Sequence, residues 1–235
     1  NGIGRYLAEG LLEAGAEVVL INRSDRVFQV EKHFKDQGYP VHALTADLTD
    51  REQLRQAFSD SMERLVGELD ILVNCAGMQH RMPSIDFTEE AWDKVRALNL
   101  DSVFFLCQLG AREMMKKHKG KIINIASMLS YFGGWRVPAY TATKTAIVGL
   151  TRALTNEWIS EGICVNAIAP GYIATDMCQP IIDDPVRNKE IIERIPAKTW
   201  GDPRVFKGIT VFLASSASDY ISGATIPVDG GFLCR

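Results

Sequence analysis

Lys121–Ala169 reads KIINIASMLSYFGGWRVPAYTATKTAIVGLTRALTNEWISEGICVNAIA, a strand, a helix and a second strand in succession. KIINIA (Lys121–Ala126) and ICVNAIA (Ile163–Ala169) are short apolar runs rich in isoleucine and valine. That is the pattern of strands buried on both faces of a parallel sheet. Between them, Pro138 opens a segment of helical period that runs to about Ser160. Two parallel strands joined by a crossover helix make a right-handed βαβ unit.

The same alternation extends outward in both directions. Upstream, Leu7, Leu11 and Leu12 give residues 5–15 a helical spacing that stops at Gly15, and Ala16–Ile21 is strand-like. Ser24 is placed to cap a helix carrying Val27, Val30 and Phe34 on one face and ending at Gly38. Strands are expected over Val41–Ala46 and Leu69–Asn74, with a helix over Asp50–Val66 between them and one long helix from about Thr88 to His118 after them. Downstream come a loop-and-helix insertion over about 171–199, a helix over Pro203–Ala214 and a strand over Ala224–Asp229. The pattern predicts an α/β fold: a Rossmann-type doubly wound parallel sheet with helices on both faces, in a single domain spanning 1–235. The chain opens Asn1-Gly2-Ile3-Gly4 and runs straight into a helix. A strand feeding such a turn is central in this architecture, so one strand and half the turn are expected upstream of the sequence shown.

Composition narrows the function. A net charge of −3 gives no reason to expect a polyanionic partner, and the densest basic run, Lys116–Lys119 with Lys121, falls at a helix C-terminus, where the macrodipole favours cations. No nucleic-acid partner is expected. No uninterrupted apolar run is long enough to span a bilayer, so no membrane partner is expected either. The five cysteines are scattered without a C-x-x-C pair, and the four histidines share no ligand spacing. This favours a reducing, cytoplasmic setting, with no disulfide framework and no metal site.

The chemistry lies in a set of polar residues at strand ends and on the central helices. Tyr140 and Lys144 stand four apart on a helix, so both project from one face. Ser127 ends the strand KIINIA, thirteen positions before the tyrosine. A tyrosine with a pKa of ~10 is a poor base at neutral pH, and a neighbouring ammonium favours its phenolate. Asn74-Cys75-Ala76-Gly77 follows one strand, Pro170-Gly171-Tyr172-Ile173 follows another, and Asn99 lies within the long helix. Glycines such as Gly2 and Gly4 let the backbone approach a pyrophosphate at a helix N-terminus.

Together these residues resemble the short-chain dehydrogenase/reductase family over the whole chain. Two departures are visible: the first half of the family's glycine-rich loop is absent, and Cys75 stands where its second asparagine usually does. The resemblance implies an NAD- or NADP-dependent enzyme acting on CH–OH groups. Tyr140 would be its general acid/base, Lys144 would bind the nicotinamide ribose, Ser127 would hold the substrate oxygen, and Asn99 would hold a proton-relaying water. It also assigns cofactor contacts to Gly2, Ile3, Gly4, Asp47, Leu48, Asn74, Ala76, Gly77, Pro170, Gly171, Ile173 and Thr175. Homotetramers are the usual assembly, and the apolar tail Gly231–Arg235 is expected to pack on another subunit.

Two finer readings stay open. The second strand ends Asn22-Arg23 rather than in a carboxylate, which leans towards NADP, whereas the nearest relatives by resemblance mostly prefer NAD. The segments Gly77–Arg81, Gly133–Pro138, Arg194–Gly201 and Ser215–Gly231 resemble the sugar-acid members of the family, the deoxygluconate and gluconate dehydrogenases. A sugar acid needs a guanidinium to pair its carboxylate, and Arg81 and Arg136 are the candidates, with Gln179 as a further substrate contact. Residues 171–199, including Tyr172, Thr175, Met177 and Gln179, are expected to form a substrate lid. The alternatives are an acyl-carrier reductase and a dinucleotide-binding protein without catalysis.

Overall fold

In the computed structural model, residues 2–176 and 178–234 are described; Asn1 of the glycine turn, Met177 of the expected lid and Arg235 of the tail lie outside them. The strands are β1 (Val18–Asn22), β2 (Val41–Thr45), β3 (Ile71–Asn74), β4 (Gly120–Ile125), β5 (Ile163–Pro170) and β6 (Thr225–Val228). Among the described residues every strand pairing is parallel. β1 pairs with β2, and β3, β4, β5 and β6 form a second ladder in that order. No pairing joins β1 to β3 among the described residues, and an apolar slot walled by Val18–Ile21 and Ile71–Val73 lies between them.

Between the strands run α1 (Gly2–Glu13), α2 (Arg26–Lys35), α3 (Arg51–Arg64), α4 (Glu89–Arg96), α5 (Ser102–Met115), α6 (Pro138–Trp158), α7 (Gln179–Ile182), α8 (Pro185–Arg194) and α9 (Phe206–Ala214). Alternation along the strands divides the core into two layers. Ile122 of β4, with Val165 and Ala167 of β5, faces Val103, Cys107 and Met114 of α5 and Ile147 and Leu154 of α6. Ile123, Ile125 and Ile168 face the other way, onto Leu7 of α1 and Phe206 and Leu213 of α9. Each continuously apolar run is thus covered on both faces by helices, which is why it reads as continuous rather than alternating. Among the described residues no helix is long and apolar enough to cross a membrane.

Two local features differ from expectation. Asp25, not Ser24, occupies the N-cap position of α2, and the Ser24 N–H instead donates to Asn22 Oδ1 at 3.2 Å. The long helix is interrupted at Ala97–Asp101 by a π-helical turn that places Asn99 between α4 and α5. Single π turns of this kind re-aim side chains and recur at functional sites. The 171–199 insertion carries α7 and α8. In the tail, Phe232 is buried against Phe132 and Tyr172 of its own chain, with ring centroids 5.7 and 5.4 Å away, while Leu233 is half-buried and Cys234 exposed.

Helix α1, which carries the glycine turn, is seated by close contact with α9. A Cβ at Gly10 would lie 2.9 Å from Lys207 Cα, so only glycine allows this approach. Lys207 Nζ then reaches Glu9 and Glu13 of α1 at 2.7 and 2.9 Å. Gly10→Val should lower stability by ~1–3 kcal/mol through overpacking. A shift of the urea midpoint at unchanged m-value would confirm this; an unmoved midpoint would contradict the close seating.

Candidate active site

Ser127 leaves the end of β4 in an extended conformation, with φ −161° and ψ 158°. Its N–H donates to Ser130 Oγ at 3.3 Å, and Ser130 Oγ donates to the Lys144 carbonyl at 2.6 Å. The serine turn is thereby tied to α6 at the lysine itself. Lys144 is 3% exposed; its Nζ donates to the Ile125 carbonyl at 2.6 Å and lies 5.8 Å from the Tyr140 ring centroid. A Cβ on Gly77 would stand 3.6 Å from that Nζ and 3.4 Å from Asn99 Oδ1, so the loop after β3 closes over both.

Asn99 is fully buried and holds that loop from the other side. Its Oδ1 accepts from the Met78 N–H at 2.8 Å, and its Nδ2 donates to the Met78 carbonyl at 2.8 Å. The same amide reaches Thr143 Oγ1, beside Lys144, at 3.3 Å. The π turn therefore locks the β3 loop to α6. Asn74 belongs to a polar layer beneath: its Nδ2 donates to Asn124 Oδ1 at 2.9 Å, and Asn124 donates to Thr151 Oγ1 at 3.1 Å.

Burial sets the electrostatics here. It lowers the Lys144 pKa to about 8, with the Cys75 thiol acting the other way. It raises the pKa of Tyr140, partly opposed by a hydrogen bond from Ser127 and reinforced by the nearby Cys178 and Cys75. The sequence predicts a lysine that brings the phenol down; in the structure burial dominates, and the opposing influence on Tyr140 is the Ser127 hydroxyl rather than Lys144. Burial likewise raises Cys75.

Tyr140, Ser127 and Lys144 share one wall of a cavity of about 1630 Å³. Its other walls include Gly2, Ile3, Gly4, Asn22, Arg23, Asp47, Leu48, Asn74, Ala76, Gly77, Pro170, Gly171, Ile173 and Thr175. Part of that volume is the slot between β1 and β3; the rest runs from the N-terminus of α1 to Tyr140. This geometry fits an extended dinucleotide. Gly2 has φ +61° with open space where a Cβ would be, and Gly171 could carry no Cβ, which would lie 2.6 Å from Asp229 Cα. At the far end, Asp47 accepts from the Thr49 N–H and hydroxyl at 2.9 and 2.7 Å, bonds that hold its pKa below the ordinary carboxylate value. Arg23 lies close enough to add to that lowering.

Among the expected substrate contacts, Arg81 and Tyr172 line the cavity. Arg136 and Gln179 do not. Arg136 sits at φ +62° with its guanidinium 5.0 Å from the Trp135 ring centroid, and Gln179 bonds Asp183 within its own short helix at 2.7 Å. Cys178, Trp135, Arg187, Ile191 and Arg194 also line the cavity and were not singled out in the sequence. The last three repeat at helical spacing after the Asp184-Pro185 helix start, the one signal that would have found them.

A family model described as enoyl-(acyl carrier protein) reductase matches residues 1–233. The chain is 50% identical over 236 residues to a 2-dehydro-3-deoxy-D-gluconate 5-dehydrogenase of Dickeya dadantii, covering 100% of this chain and 92% of the relative. A protein of Agrobacterium tumefaciens solved with bound NADP is 45% identical, with a TM-score of 0.92, covering 100% of this chain and 93% of that one. A gluconate 5-dehydrogenase of Burkholderia cenocepacia, solved with NADP and tartrate, is 38% identical with a TM-score of 0.94, covering 100% and 92%.

The low Lys144 pKa carries a stability consequence. Between about 8 and the ordinary 10.5 the unfolded chain binds more protons at this lysine than the folded one, so its contribution to stability rises with pH across that window. Lys144→Met should stabilise the unliganded protein at pH 7 by ~1–3 kcal/mol, a gain that shrinks towards pH 10. Urea unfolding at both pH values measures it; a less stable variant at pH 7 would show that the Ile125 hydrogen bond outweighs burial.

Proposed function

The chain belongs to the short-chain dehydrogenase/reductase family, and on that premise we propose that it interconverts a secondary alcohol and a ketone on a sugar acid. The reading is that of an NAD(P)-dependent 2-dehydro-3-deoxy-D-gluconate 5-dehydrogenase. One observation carries it: Ser127, Tyr140 and Lys144 meet on one wall of a glycine-lined cavity that also holds Arg81, a guanidinium with no carboxylate partner among the described residues. Gluconate 5-dehydrogenase is the second reading, favoured by the likeness to the Burkholderia structure.

Bound nicotinamide dinucleotide supplies or accepts the hydride. The residues of the chain move the proton. In the oxidising direction the substrate hydroxyl gives its proton to Tyr140 as the carbinol carbon loses hydride, and in the reducing direction Tyr140 returns it. The Ser127 hydroxyl donates to the same substrate oxygen and stabilises the charge that develops there. Lys144, held by Ile125, is placed to bond the ribose and to keep positive charge beside the phenol. Asn99 positions the loop that borders the lysine and holds the relaying water. Asn22 and Arg23, with no carboxylate at the end of β1, support acceptance of the NADP 2′-phosphate. A cytoplasmic, single-domain protein assembled as a homotetramer completes the proposal.

Absorbance at 340 nm should rise as 2-dehydro-3-deoxy-D-gluconate is oxidised with NADP+ as the hydride acceptor. Turnover of gluconate alone would move the assignment to gluconate 5-dehydrogenase. Silence on both, with the dinucleotide still bound, would leave the family and remove the substrate. Arg23→Ser should raise the KM for NADP at least ~10-fold and leave that for NAD unchanged, since only NADP carries the phosphate the guanidinium pairs. Equal losses for both would assign Arg23 to the adenine instead.

A further inference from the structure

Arg81 and Arg187 enter the cavity from different elements, Arg81 from the loop after β3 and Arg187 from the first turn of α8. They are close enough that the charge on Arg187 acts on Arg81, and Tyr172 and Cys178 lie within the same electrostatic neighbourhood. Cys178, which also lines the cavity, lies near both Tyr140 and Arg81. Arg81 donates to the Trp135 carbonyl at 3.1 Å, and neither arginine forms an ion pair among the described residues. Arg187 also stands where a helix disfavours a cation. The Asp184 carboxylate caps that turn through the Val186 and Arg187 N–H groups, at 3.0 and 3.1 Å, and leaves the guanidinium itself unpaired. Asp176 and Glu190 line the cavity as well.

Arg81 is exposed and Arg187 half-buried at the cavity mouth; their like charges repel, and an anion bound by both turns that repulsion into attraction. Each guanidinium presents a planar fork of donors matched to a carboxylate. We propose that Arg187 is a specificity-determining residue which, with Arg81, forms a two-guanidinium seat for the carboxylate of the substrate. This rests on the sugar-acid reading. It adds a residue from α8 to the site and makes the position of α8 depend on the charge of the substrate. Arg136 also acts electrostatically on Arg81, but its guanidinium lies over Trp135 and does not line the cavity.

The test uses two probes that differ only in the acid group, 2-deoxy-D-gluconate and 2-deoxy-D-glucitol, titrated calorimetrically into the NADP-loaded protein. The wild type should bind the acid at least ~10-fold more tightly than the alcohol. Arg187→Gln should erase most of that ratio, and Arg187→Lys should keep part of it, because an ammonium retains the charge and loses the fork. A wild type that discriminates, with an Arg187→Gln variant that discriminates equally well, overturns the seat and leaves the sugar-acid reading standing. A wild type with no preference for the acid removes the sugar-acid reading and the seat with it. Should Arg187→Gln fail to bind NADP, Arg187→Lys decides: a ratio equal to wild type overturns the proposal, a reduced one supports it.

Discussion

A single buried ammonium organises this molecule. Lys144 has been taken out of water into the junction of β4, α6 and the loop after β3, with the Ile125 carbonyl as its hydrogen-bond acceptor at 2.6 Å. Burying a cation with one neutral acceptor is costly, and folds tolerate such a cost where the charge has work to do. Everything around it is arranged to hold that position. Ser130 fastens the serine turn to the carbonyl of Lys144, Asn99 fastens the β3 loop to Thr143 next door, and the absence of a side chain at Gly77 lets that loop approach. Ser127 and Lys144 are thus fixed by hydrogen bonds to neighbouring residues rather than by bonds between themselves.

The sheet sets where this happens. β4 and β5 are buried along their whole length, and their C-terminal ends deliver Ser127 and Pro170-Gly171 to the same edge as the turns that follow β1 and β3. In an open parallel sheet that edge is where ligands bind. The cavity runs along it from the glycine turn to Tyr140, so one end suits an adenine nucleotide and the other a small polar substrate.

Much of this could be read from the residues. The strands were legible because apolar runs buried on both faces have no competing pattern, and the Ser127, Tyr140 and Lys144 spacing survives into three dimensions because it is set by one strand end and one helix. What escaped was decided by contacts distant in sequence. The π turn at Asn99 leaves no mark in the periodicity, because a one-residue wider turn shifts the apolar face without interrupting it. The burial of Phe232 depends on an aromatic cluster with Phe132 and Tyr172, contributed by three separate segments. Arg136 turned to Trp135 while Arg187 entered the cavity, because the short helices of the insertion, not loop proximity to Tyr140, decide which cation faces in.

In the function we propose, Tyr140 carries the proton and its surroundings exist to let it do so. Tyr140→Phe removes one oxygen and little volume, and it leaves the Lys144 and Asn99 bonds to the backbone in place. The decisive measurement is turnover by this variant beside its dinucleotide affinity by fluorescence titration. The account predicts affinity within about threefold of wild type and a fall in kcat of at least ~10³, within the range expected for loss of a general acid/base. Turnover within tenfold of wild type would contradict it and place the proton with another group.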